Sequence, residues 1–312
     1  MKKYRVILLF LAHCLLGSSS FALEPMSRPE IGRIDRIALF PSEYVDPRNV
    51  DVWLPTDFDA LKASGERFHV IYMHDGQMLF DPSTTWNKQA WHVDKTIDKL
   101  VKANKIPHCI VVGIWNNGIY RHSEYFPEKF LLNMSKEFRD NLIQTKLRGK
   151  PQSDAYLKFI VDELKPYIDS HYPTRPDAPS TLIMGSSMGG LISVYALSEY
   201  PNIFGSAAGL STHWIGITKP NLEIPQSAYD YLRHHFPDTQ KLRLYQDHGS
   251  LGLDSLYGAY QVTVNEIIKN KFKNDMTPNT SFMTLTFEGM DHSENDWAKR
   301  LEIPLTFIFS NR

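Results

Sequence analysis

The 312-residue chain carries almost no net charge, since 34 Lys and Arg oppose 35 Asp and Glu for a formal charge of −1. That balance leaves no basic field for nucleic acid or for an anionic membrane surface, so the expected partner is a small molecule. Cysteine is scarce, at two residues, with Cys14 in an apolar N-terminal run and Cys109 in Cys109-Ile110-Val111-Val112. With Cys14 removed in processing, no internal disulfide can form, and Cys109 reads as a buried core residue. No HExxH, Cys-x-x-Cys or comparable ligand spacing occurs, so neither a metal nor another cofactor is expected. No Pro/Gly/Ser-rich linker and no repeat divides the chain, which favours one large domain over two small ones.

The N-terminus is set apart. Lys2, Lys3 and Arg5 precede an apolar segment from Val6 to Leu16, followed by Ser18-Ser19-Ser20-Phe21-Ala22. The apolar run is too short to span a bilayer. It reads as a secretory signal peptide over residues 1–22, cleaved near Ala22, which predicts export to the periplasm or beyond and a mature chain, 23–312, without a membrane anchor.

Short β-rich runs recur after that: Arg36 to Phe40, Asn49 to Leu54, His69 to Met73, His108 to Ile114, Thr181 to Met184, Gly205 to Leu210, Leu242 to Tyr245 and Phe282 to Phe287. The first two alternate or abut prolines, as antiparallel edge strands do, and the later ones are the nearly continuous apolar runs of buried parallel strands. Tyr156, Leu157, Ile160, Val161, Leu164 and Ile168 mark one stripe of a helix ending around Pro173, and a second helix is expected from Met188 to Tyr200, stopped by Pro201. Strands alternating with helices predict an α/β fold with a mostly parallel sheet and helices on both faces. Ligands of such sheets sit beyond the carboxyl ends of the strands, where chemistry is to be sought.

Gly185-Ser186-Ser187-Met188-Gly189 fits G-x-S-x-G and stands between a strand and a helix, the pattern of a nucleophile elbow that lifts Ser187 into solvent. A serine hydroxyl needs an adjacent base, and the base needs a carboxylate to orient it, in the chain order Ser, Asp or Glu, His. His292 follows the last β-run and a turn containing Gly289, which makes it the candidate base; His234 and His235 fall on a predicted helix as surface residues. Asp247 and Asp254 both follow the Leu242 to Tyr245 strand, and either carboxylate can reach His292 from that loop. For an oxyanion hole, Met188 supplies one backbone N–H and Gln77 or Met78, beside Gly76, the other. His74, His213 and Trp214 follow strands and are expected to border a substrate pocket.

The runs Val70 to Asp81, Arg121-His122-Ser123-Glu124-Tyr125-Phe126-Pro127, the elbow, and Asp291-His292-Ser293-Glu294-Asn295-Asp296-Trp297 together resemble the esterase branch of the α/β-hydrolases. That branch includes the esterase D type, enterochelin esterases and feruloyl esterases, and the likeness runs from about Ile37 to Ile308. The resemblance implies the α/β-hydrolase fold, Ser187 as nucleophile and His292 as base. It favours Asp254 as the acid, with Asp247 as runner-up, because the family's aspartate follows a Gly-Thr-like pair that Gly249-Ser250 matches with serine in place of threonine. It also suggests an Arg121–Glu124 pair bracing the loop by the pocket. The implied activity is cleavage of a small-molecule carboxylic ester through an acyl-enzyme. Acyl transfer to another alcohol and a non-catalytic binding protein on the same fold are the rival readings. The long segment 129–151 is expected to pack over the catalytic face as a cap.

Overall fold

The computed structural model describes residues 26–238, 242–272 and 281–310, so the expected signal peptide lies outside the described residues. All eight β-rich runs are strands: β1 (Arg33–Phe40), β2 (Arg48–Leu54), β3 (His69–His74), β4 (Cys109–Ile114), β5 (Thr181–Ser186), β6 (Ser206–Leu210), β7 (Arg243–Gly249) and β8 (Phe282–Phe287). They form one sheet in the order β1-β2-β4-β3-β5-β6-β7-β8. β2 runs antiparallel to both β1 and β4, and every pairing from β4 to β8 is parallel. This is the mostly parallel α/β-hydrolase sheet with an antiparallel N-terminal end. β1 is the outermost strand, and β4 pairs with the inner side of β2 along Val50 to Trp53.

Successive side chains of a strand point to opposite faces, and the core divides accordingly. Val70 and Tyr72 of β3 join one apolar layer with the helices Ser153–His171, Met188–Glu199, Glu223–His235 and Gly258–Lys271. Ile71 and Met73 join the other, with Val93–Lys102, Glu294–Arg300 and Glu302–Phe309. Both faces of the sheet are therefore covered, which is why its central strands are continuous apolar runs.

The helix over 153–171 is not uniform: it is α over Ser153–Lys158, π over Phe159–Leu164 and α again over Lys165–His171. Pro166 explains the wide turn, because it has no N–H to donate and its ring crowds the carbonyl four residues back. The helix after the elbow is buried along nearly its whole length, so it is apolar on every side. Cys109 is buried and free, and burial pushes its thiol up to about 12. Among the described residues no helix is long and apolar enough to cross a membrane.

Candidate active site

β5 ends at Ser186, and Ser187 takes φ +57° and ψ −123° before the helix begins at Met188. A residue with a side chain adopts that conformation only under constraint from its surroundings. Here the constraint is close packing. A Cβ on Gly185 would lie 2.9–3.0 Å from the backbone of Gly189, and one on Gly189 would meet the Cβ of His74 at 3.3 Å. The Ser187 N–H donates to the Leu210 carbonyl at 2.9 Å, and the Ser187 carbonyl accepts from the His213 N–H at 3.2 Å. Ser187 opens onto a cleft of about 640 Å³, whose walls include His292, His74, Gln77, Trp86 and Arg121.

His292 follows β8 and approaches the cleft from the opposite apolar layer, with its ring edge-on to Trp297 at 5.1 Å and to Tyr257 at 5.8 Å. Its Nδ1 is 2.6 Å from Oδ1 of Asp254. The other Asp254 oxygen accepts from the Ser211 hydroxyl at 2.5 Å and from the Gly249 N–H at 2.6 Å. Burial alone would push this carboxyl up; the hydrogen bonds from His292, Ser211 and Gly249 outweigh it and hold Asp254 below the usual carboxylate range. Asp247 is taken elsewhere. It accepts Nε and Nη2 of Arg300 at 3.1 and 3.0 Å, the Tyr245 hydroxyl at 2.8 Å and the Ser211 N–H at 3.0 Å. Of the two candidate aspartates, only Asp254 meets His292.

Met188 is the first residue of the elbow helix and Gln77 lies in the short turn Gly76–Met78, so neither N–H has an acceptor within its own helix. Gly76 serves the neighbouring strand: a Cβ there would come within 2.6 Å of the Gly113 backbone in β4. The Gln77 side chain is fixed by the Asn116 N–H, 3.2 Å from its Oε1.

His74 borders the cleft, with Nδ1 2.8 Å from the Tyr156 hydroxyl, and burial drives its pKa down to about 3, so it is neutral. His213 and Trp214 do not line the cleft. Where the chain leaves β6, Ser211 takes a positive φ of 46°. The Trp214 ring is buried in the core, with Nε1 donating to Gln261 at 3.0 Å. His213 sits behind the serine, its Nδ1 2.5 Å from the Tyr257 hydroxyl and its pKa pushed down to about 3 by burial and then by His292. The expected Arg121–Glu124 pair is not made. Arg121 faces the cleft and grips Asp75 at 2.6 and 2.7 Å, while Glu124 points into the core and holds Arg48 at 2.7 and 2.8 Å. Segment 129–151 contributes no residue to the cleft. Phe130 packs on Tyr195 and Tyr231, Lys129 pairs with Glu199, and Ser135 bonds Glu223.

Sequence reasoning missed Ser211, Arg300 and Tyr257. Arg300 lies one residue before the buried Leu301 and shares its helix with Trp297, so it reads as an ordinary basic residue near a helix end. Ser211 carries no motif. Tyr257 offered one usable signal: it lies three residues beyond Asp254, and residues three apart eclipse in a 3₁₀ turn. Among the described residues no three His, Cys, Asp or Glu side chains group to hold a metal ion.

A mostly parallel sheet whose central strand ends in a strained serine at the start of a buried helix defines the α/β-hydrolase class. Residues 42–302 match the family described as "Putative esterase", and the chain belongs to that family. The uncharacterized protein YjcH of Bacillus subtilis (strain 168) is 25% identical over 179 residues, covering 57% of this chain and 61% of YjcH. The Shigella flexneri enterobactin esterase FES, whose structure was solved in the presence of enterobactin, superposes with a TM-score of 0.63 at 17% identity, covering 90% of this chain and 60% of that one. The ferulic acid esterase AmCE1/Fae1A of Anaeromyces mucronatus gives 0.58 at 17% identity, with 92% of each chain covered. At these identities the structural likenesses establish the fold. The chain spans about three fifths or less of the length of the curated relatives it matches.

Proposed function

We propose that this protein is a serine hydrolase that cleaves a small-molecule carboxylic ester through an acyl-enzyme. Ser187 Oγ attacks the ester carbonyl carbon while its proton passes to Nε2 of His292, and Asp254 holds Nδ1 of the imidazole and stabilises its charged form. The N–H groups of Met188 and Gln77 donate to the oxyanion. The intermediate collapses to the acyl-enzyme, and His292 returns the proton to the departing alcohol. Water then repeats the sequence and frees Ser187. The observation that carries this reading is that a strained Ser187 and an Asp254-held His292 open onto one cleft. With residues 1–22 read as a signal peptide, the reaction takes place in the periplasm or outside the cell.

The deciding experiment is turnover of p-nitrophenyl acetate or butyrate by the Ser187→Ala variant. A loss of about 10⁴-fold or more in kcat is expected, with a comparable loss for His292→Ala because members of such a set act as a unit. Retained turnover in Ser187→Ala overturns the assignment.

A further inference from the structure

The turn Gly252–Leu256 directs two side chains at the site. Asp254 takes His292, and Tyr257, whose N–H closes the turn on the Asp254 carbonyl at 2.9 Å, sets its ring edge-on to the His292 ring at 5.8 Å. The Tyr257 hydroxyl is 2.5 Å from Nδ1 of His213, and these two rings meet edge to face at 5.6 Å. Tyr257 has no exposed surface and His213 is 4% exposed, so no solvent competes for this hydroxyl. His213 is itself tied to the nucleophile through its backbone N–H, which donates to the Ser187 carbonyl at 3.2 Å. None of this is required by the nucleophile, base and acid scheme, which leaves Tyr257 and His213 without a role.

We infer that Tyr257 is a further catalytic residue, donating its hydroxyl hydrogen bond to Ser187 Oγ, and that His213 is its positioning residue. The direction follows from proton bookkeeping and rests on the function proposed above. The Ser187 hydroxyl proton must be aimed at His292, so Oγ can only accept from Tyr257. The Tyr257 oxygen in turn accepts from His213, which therefore carries its proton on Nδ1. His213 is neutral, since burial holds its pKa near 3. Burial and the neighbouring Asp254 carboxylate raise the Tyr257 phenol well above its ordinary value, so it keeps its proton throughout. In the attack, Oγ bonds to the carbonyl carbon and its proton goes to His292. Tyr257 transfers nothing and stabilises the charge that Oγ carries while that proton leaves, and again when Oγ is expelled during deacylation.

The test is the second-order rate of labelling by a fluorophosphonate probe, read alongside kcat for p-nitrophenyl acetate, in full-length Tyr257→Phe. The substitution keeps the ring and removes only the hydroxyl. Both rates are expected to fall about 10- to 100-fold at temperatures where the variant is fully folded, and the unpaired His213 N–H should lower its thermal midpoint. His213→Ala should lose a similar factor, His213→Gln should recover part of it through its amide donor, and adding His213→Ala to Tyr257→Phe should cost nothing more. Should Tyr257→Phe fail to fold, the His213 pair reads the same chain from its other end. Labelling of Tyr257→Phe within about twofold of wild type, or strictly additive losses, overturns this inference and leaves the esterase reading standing. A wild-type chain that the probe never labels at Ser187 overturns both.

Discussion

Asp247 lies in β7 and Asp254 in the turn after it, both buried, and their partners give them different work. Asp254 accepts from His292, Ser211 and Gly249, whereas Asp247 neutralises Arg300, which is 1% exposed. Asp254→Asn should therefore lower kcat by about 10²- to 10⁴-fold, because an amide cannot hold the same imidazole tautomer and charge. Asp247→Asn should act first on stability. It removes the nearer of the two carboxylates around a buried guanidinium, leaving Asp254 at 3.9 Å, at a cost of about 3 kcal/mol read as a lower midpoint. The depressed pKa of Asp254 adds a pH signature. The native state binds fewer protons than the unfolded chain, so this contribution is complete above the unfolded value, about 3.9, and is lost as pH falls through the lower folded value. A plot of midpoint against pH should be flatter on its acid side in Asp254→Asn than in wild type. The choice between the two carboxylates was not legible in the sequence, because both follow the Leu242 to Tyr245 run, and only the structure extends the strand through Asp247. It is made by Arg300 and Ser211, which come from distant segments.

The elbow shows how an element turns a local pattern into a fixed geometry. Its glycines are needed for approach: Gly185 lies against the Gly189 backbone, which cannot yield as a side chain would. Gly185→Ala should cost about 1–3 kcal/mol in thermal unfolding and move Ser187 relative to the cleft, so that fluorophosphonate labelling falls even at temperatures where the variant is fully folded. Full labelling in a folded Gly185→Ala variant would mean that the turn tolerates the extra carbon. At this scale the sequence was mostly readable. Apolar runs bounded by polar or turn residues marked all eight strands, and G-x-S-x-G marked the turn. One feature escaped for a definite reason. The π turn over Phe159–Leu164 keeps the same apolar stripe as an α-helix, so periodicity alone does not expose it, although Pro166 is its cause.

The whole molecule brings the site together from the two apolar layers on either face of the sheet. Ser187 leads into a helix of one layer, and His292 leans on Trp297 of the other. Segment 129–151 belongs to the first layer. Phe130 is 2% exposed and packs against Tyr195 of the elbow helix and against Tyr231, while no residue of the segment reaches the cleft. Its packing favours a brace for the elbow helix over the cap expected from its length alone. If residues 23–312 form one domain, calorimetry should give a single transition whose calorimetric and van't Hoff enthalpies agree. Phe130→Ala should then lower the midpoint of that one transition through a loss of about 3–5 kcal/mol, and leave KM for p-nitrophenyl butyrate unchanged. A raised KM with an unshifted midpoint would put the segment against the substrate after all. Two separated endotherms would mean that it unfolds apart from the sheet, and that the helix behind Ser187 is held by the sheet alone.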